Sequence, residues 1–152
     1  MVEEKTQQIS EEQLIQMAQQ DEQELMQKQS ILQRLLEIHK EATNAKETLK
    51  ELQITKGKIW VAVGATILIE VQPTNTEKCK MGLSENGYKD TTTEEATKWL
   101  EEREIQLKRQ IETLQKEINE GQNRLTQIIS IIKQIEQEKR KQLITRPPTI
   151  SK

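Results

Sequence analysis

Ile59-Trp60-Val61-Ala62-Val63-Gly64-Ala65-Thr66-Ile67-Leu68-Ile69-Glu70-Val71, followed by Gln72-Pro73-Thr74-Asn75-Thr76 and by Lys78-Cys79-Lys80-Met81-Gly82-Leu83-Ser84-Glu85-Asn86-Gly87-Tyr88-Lys89-Asp90, is the stretch that decides the fold. It alone is rich in β-branched and apolar residues broken by turn residues. Residues 58–63 and 66–71 read as strands around Gly64-Ala65, with glycine supplying the unusual turn dihedrals. Residues 73–76 read as a loop. Residues 78–83 and 88–90 then flank 84–87, where Asn86-Gly87 favours a type I′ turn. Two β-hairpins follow, at about 58–90.

Outward from this insert lie long charged segments. The chain has 152 residues, 32% charged and 33% hydrophobic, with 2% aromatics and no Phe, so it cannot build a thick core. It can still fold if its apolar residues line a narrow seam. Ser10-Glu11-Glu12-Gln13 fits a capping box at the start of a first helix of about 10–56. A heptad seam runs through Leu14, Met17, Asp21, Glu24, Lys28, Ile31, Leu35, Ile38, Ala42, Ala45, Leu49 and Leu52, nine of the twelve apolar. Gly57 is the expected stop.

Thr91-Thr92-Thr93-Glu94-Glu95 opens a second helix of about 92–145, with acidic residues where the helix dipole favours them. Its seam is Leu100, Glu104, Leu107, Ile111, Leu114, Ile118, Gly121, Leu125, Ile128, Ile132, Ile135 and Lys139, again nine of twelve apolar. Pro147-Pro148 leaves 146–152 as a tail. Isolated helices of this composition are marginal, so each needs a partner along its length. Folding the chain back on itself pairs Leu49 with Leu100, Ala42 with Leu107, Leu35 with Leu114, Lys28 with Gly121 and Leu14 with Ile135. The polar defects Asp21, Glu24 and Lys28 then fall beside Gly121, and the outer third is expected to be looser than the rest.

The fold class expected is α+β: one domain over 1–152, a long antiparallel coiled-coil helical hairpin with two inserted β-hairpins. A lone hairpin is barely stable in water. Strands carrying Trp60, Val61, Val63, Ile67, Ile69, Val71, Met81 and Leu83 on open edges would aggregate. Assembly, with strands of several chains closing into a β-barrel, resolves this, and these eight residues are the candidate oligomerisation set.

No catalytic constellation stands out. His39 is the sole histidine and lies on the flank of a helix, Gly64-Ala65 belongs to a hairpin rather than a phosphate loop, and carboxylates alternate with Lys and Arg as on a solvated flank. Cys79 is the one cysteine, so neither an internal disulfide nor a Cys/His zinc site is expected. No enzyme activity, cofactor or metal is expected. The net charge of −2 argues against nucleic acid. Residues 1–13 are polar and unlike a secretory leader, and the run 59–69 is too short to span a bilayer, so a cytoplasmic protein without a membrane partner is expected.

Apolar residues away from the β insert exceed what a two-stranded seam buries. Leu14, Met17, Leu25 and Met26 on the first helix, with Ile128, Ile129, Ile131, Ile132, Ile135, Leu143 and Ile144 on the second, cluster at the helix ends distant from the insert. In the adjacent pairs Ile128-Ile129 and Ile131-Ile132 one member must point away from the partner helix. Methionine suits promiscuous apolar contacts. All but Ile128 form the candidate set for apolar contact with other chains.

A long helix, two hairpins and a long helix resemble the α-class subunit of prefoldin, an ATP-independent co-chaperone. The matching residues are Gly57-Lys58-Ile59-Trp60-Val61-Ala62-Val63-Gly64, Ile67-Leu68-Ile69-Glu70-Val71 and Thr92-Thr93-Glu94-Glu95-Ala96-Thr97-Lys98-Trp99-Leu100. The departures are Ala62, where the family often has proline, and a polar second hairpin with a short fourth strand. The resemblance implies a hexamer of two α-class and four β-class subunits. Its coiled-coil tips, here 1–28 and 121–152, would capture unfolded polypeptides and pass them to a group II or cytosolic chaperonin. The alternative is a structural coiled-coil scaffold, filament or tether subunit that binds no client.

Overall fold

The computed structural model describes residues 9–55 and 57–145. Residues 1–8 of the expected leading polar segment and the tail 146–152 lie outside the described residues. Six elements follow in order: α1 (Glu11–Ile54), β1 (Ile59–Gly64), β2 (Ile67–Val71), β3 (Lys78–Ser84), β4 (Gly87–Thr92) and α2 (Thr93–Thr145). The chain divides into a terminal unit, Met1–Gln33 with Glu112–Lys152, and a central unit, Arg34–Ile111.

Both helices start where their sequences cap them. The Gln13 amide donates to Ser10 Oγ at 3.3 Å, and the Ser10 amide donates to Gln13 Oε1 at 3.0 Å, the reciprocal pair of a capping box. At α2 the Glu95 amide donates to Thr92 Oγ1 at 3.1 Å, while the Glu95 carboxylate accepts from Thr91 Oγ1 at 2.9 Å. Thr93, 2% exposed, donates its hydroxyl to the Thr76 carbonyl at 2.6 Å, and its amide donates to the Glu77 carbonyl at 2.9 Å. The start of α2 is thereby tied to the loop between the hairpins. That loop carries its own turn, the Glu77 amide donating to Asn75 Oδ1.

In the terminal unit the two helix segments run antiparallel. Glu11 pairs with Lys139, Asp21 with Arg124 and Lys28 with Glu117, one number rising as the other falls. The central unit does the same, with Lys46 on Glu104 and Lys50 on Glu101. On α2 the inward positions follow the expected seam from Leu100 to Ile135, with Leu107 fully buried and Lys139 exposed.

On α1 the expected seam is met at alternate positions and at Ile38 and Leu52, and missed elsewhere. Leu14, Asp21, Lys28, Leu35, Ala42 and Leu49 face inward. The intervening positions are filled by Ala18, Leu25, Leu32, His39 and Lys46, not by Met17, Glu24, Ile31 and Ala45. Met17 is 40% and Ile31 52% exposed, and Ala45 is exposed; Ile38 shares a half-buried position with His39. The register is corrected with the phase. Gly121 faces Leu25 rather than Lys28: a Cβ there would lie 2.9 Å from Leu25 Cδ2. The glycine seats a leucine, so the expected coincidence of a glycine gap with a lysine does not occur.

The four strands make two separate two-stranded antiparallel sheets, β1 with β2 and β3 with β4. In the first, Ile59 pairs with Val71 and Ala62 with Leu68, with a register shift between Ala62 and Gly64. The tight turn is Ala65-Thr66, at φ 48° and 64°, and Gly64 at φ 110° occupies the shift instead of the turn centre. In the second sheet the turn is Glu85-Asn86 and Gly87 already belongs to β4. Among the described residues positive φ is confined to Gly64, Ala65 and Thr66, so the type I′ turn expected at Asn86-Gly87 is absent. β4 is also longer than expected, pairing through Thr92 with Lys78.

Candidate interaction surfaces

The first hairpin is apolar on both faces. Successive strand residues alternate sides, so the pairing puts Trp60, Ala62, Leu68 and Glu70 on one face and Ile59, Val61, Ile69 and Val71 on the other. Trp60 is 66% exposed, and Val61, Val63, Ile67, Leu68 and Ile69 are exposed as well; Val71 is half-buried. Leu68 is absent from the residues expected from sequence. Its position opposite Ala62, on the Trp60 face, is the signal that places it there.

The second hairpin is built differently. Lys78, Lys80, Asp90 and Thr92 share one face, where Lys80 and Asp90 approach to 3.8 Å. Cys79 and Met81 lie on the other and line a hollow with Ala45, Leu49, Ala96 and Trp99. Of the candidates here, Met81 is half-buried and Leu83 exposed. Tyr88, opposite Gly82, is exposed and was not singled out by its sequence context.

The candidates in the terminal unit divide. Leu14 and Leu25, each 7% exposed, belong to the seam. Burial on the partner helix takes both away from any surface for a further chain, as it does Ile128. Ile132 and Ile135 are half-buried. Met17, Met26, Ile129, Ile131, Leu143 and Ile144 are exposed. Polar groups interrupt this apolar surface: Arg124 donates to both carboxylate oxygens of Asp21 at 2.8 Å, with Glu24 3.9 Å away. The hydrogen bonds that Arg124 donates to Asp21 raise its pKa above the ordinary value.

In the central unit Lys46 Nζ donates to Glu104 Oε2 at 2.5 Å, the two side chains 21% and 15% exposed. That hydrogen bond holds the Glu104 carboxyl below the usual carboxylate range against the opposing effect of burial, with help from the Thr43 hydroxyl and the charge on Lys46 and His39. The same bond holds Lys46 above its ordinary value. Among the described residues no group of His, Cys, Asp and Glu could hold a metal ion, and no helix is long and apolar enough to cross a membrane.

The family model described as Prefoldin subunit matches residues 22–138, well over half the chain. This chain belongs to the prefoldin family. The prefoldin fold is seen also in a solved structure, the filamentous PFD of Methanocaldococcus jannaschii determined by cryo-EM. The match has 19% identity and a TM-score of 0.62 and covers 76% of this chain and 97% of that one. At that identity the likeness concerns the fold. Comparison with curated proteins gives no match. Prefoldins are a chaperone-type, non-enzymatic family whose subunits assemble with one another.

Proposed function

We propose that this chain is an α-class prefoldin subunit of a cytoplasmic, ATP-independent co-chaperone. In this reading two copies assemble with four β-class subunits through the hairpins, whose strands close into barrels. The assembly captures unfolded polypeptides at its coiled-coil tips and hands them to a group II or cytosolic chaperonin. The carrying observation is the exposed apolar surface of the terminal unit, Met17, Met26, Ile129, Ile131, Leu143 and Ile144, which the helix pair leaves outside its own seam. Two hairpins rather than one support the α class.

The test has two arms. Native mass spectrometry with β-class partners is expected to give a six-subunit complex containing two copies of this chain. The complex is expected to suppress aggregation of a denatured client without ATP, and to lose that activity when 1–28 and 121–152 are trimmed while the hairpin-mediated assembly persists. Equal protection by the trimmed complex overturns the tip assignment.

A second reading has a specific observation behind it, the likeness to a filamentous PFD. Here the chain is a scaffold or filament subunit that uses its hairpins to self-assemble and binds no client. Long self-assemblies of the chain alone, with no client protection, favour this reading over the first.

A further inference from the structure

Helix α1 carries two overlapping seams. Residues 14, 21, 28, 35, 42 and 49 belong to both. The seam in use adds Ala18, Leu25, Leu32, His39 and Lys46; the other adds Met17, Glu24, Ile31, Ile38 and Ala45. The other seam has four apolar members of five against three, and one of the four, Ile38, is already half-buried in the present phase. Turning Met17, Ile31 and Ala45 inward would expel Ala18, Leu25 and Leu32, so burial of apolar area alone does not select the present phase. Something specific therefore holds the helix in its present phase.

Each unit supplies one lock. In the terminal unit Leu25 sits over the bare backbone of Gly121, a seat that any Cβ at 121 would crowd from 2.9 Å. Beside it, the two-pronged Asp21–Arg124 pair fixes the neighbouring turn. The rival phase would put Glu24 where Leu25 now lies. In the central unit Lys46 is drawn inward onto Glu104, a carboxylate at an α2 seam position. Turning the helix would break that pair and leave the carboxylate facing Ala45, the kind of unpaired, partly buried charge that is strongly disfavoured. A polar group at one seam position is a known way for sequences to specify register at the expense of stability.

We propose that α1 is a two-phase helix, held in its present rotational setting by Leu25 on Gly121 and Lys46 on Glu104. Releasing both locks turns it by about half of the ~100° step between successive residues. Met17, Ile31 and Ala45 then leave the surface, and Ala18, Leu25, Leu32, His39 and Lys46 replace them. The helix pair thus holds in reserve a second arrangement that presents a different apolar set on α1, Leu25 and Leu32 in place of Met17 and Ile31.

The test uses the full-length chain in a Cys79→Ser background, with a single reporter cysteine at Met17, Ala18 or Ala45 and the rate of maleimide labelling as readout. With the locks intact, positions 17 and 45 label fast and 18 slowly. In Lys46→Glu/Gly121→Ala, labelling at 17 and 45 is expected to slow by roughly tenfold and at 18 to quicken, since thiol reactivity follows exposure. The charge swap Lys46→Glu/Glu104→Lys, with Gly121 retained, is expected to return the original pattern. Unchanged rates in the double variant, or rates that rise together at all three positions, overturn the proposal. If the double variant loses its helical circular dichroism, Gly121→Ala alone is read: opposite shifts at 17 and 18 support the two phases, and any other pattern overturns them.

Discussion

Ala65 and Thr66 occupy left-handed backbone at φ 48° and 64°, a region where a β-branched residue is an outlier. The tight turn needs that handedness to match the twist of β1 and β2, and neither residue is suited to it. Thr66→Gly is therefore expected to stabilise the chain by about 1 kcal/mol, read as a higher urea midpoint with unchanged slope. Thr93 is the opposite case, a side chain whose hydroxyl is fully used. Thr93→Val strands the Thr76 carbonyl and is expected to cost ~1–3 kcal/mol, while Thr93→Ser retains most of the stability. Glu104 predicts a pH dependence. Its folded pKa is lowered, so its contribution is present above the unfolded value of about 4.3 and disappears as pH falls through the folded one. The urea midpoint of Glu104→Gln should trail the parent by a constant amount from neutral pH down to about pH 5 and converge with it in more acid solution. A gap that persists at full size in strong acid contradicts this assignment. Lys46 gives the mirror image in alkali: its pKa is raised, so its share is present below about 10.4 and is lost as pH climbs through the folded value.

At the scale of elements, the helices and hairpins are legible because their signals are local. The capping residues Ser10 and Thr92, the seven-residue spacing and the β-branched runs each act over a few neighbours. The phase of α1 is less legible. Ile31 and Ile38 outweigh Leu32 and His39 in any apolar count, and the pairs that reverse the choice, Lys46 with Glu104 and Leu25 with Gly121, lie far apart in sequence. The second turn misleads for a related reason. Asn-Gly suits a left-handed turn, but the register shift between Gly82 and Ser84 moves the turn one residue earlier, and Gly87 pairs with Ser84 in the strand. The phase of α2 follows its apolar spacing, and Leu107, fully buried, is its deepest residue. Leu107→Ala is expected to cost ~2–5 kcal/mol, and Ile105→Ala, at an exposed position two residues away, far less; the two urea midpoints make the comparison.

At the scale of the molecule, the candidate interaction surfaces were legible where exposure follows from strand alternation, and not where it depends on helix phase. Leu25 is a seam residue for that reason, while Trp60, Val63 and Ile67 are exposed on the hairpin. If the hairpins mediate assembly, Trp60→Glu combined with Ile67→Glu should leave far-UV circular dichroism almost unchanged while abolishing the complex in size-exclusion chromatography with light scattering. If the terminal unit holds clients, Ile129→Gln with Ile131→Gln should do the reverse, keeping the complex and losing protection of a denatured client. Among the described residues both sheets have only two strands, so every one of these strands is an edge strand. An unpaired edge is a template for any extended chain that meets it. The ratio at which this subunit and its partners are synthesised therefore matters as much as its sequence. Copies made in excess would carry open strands until a partner, a protease or another surplus copy closed them.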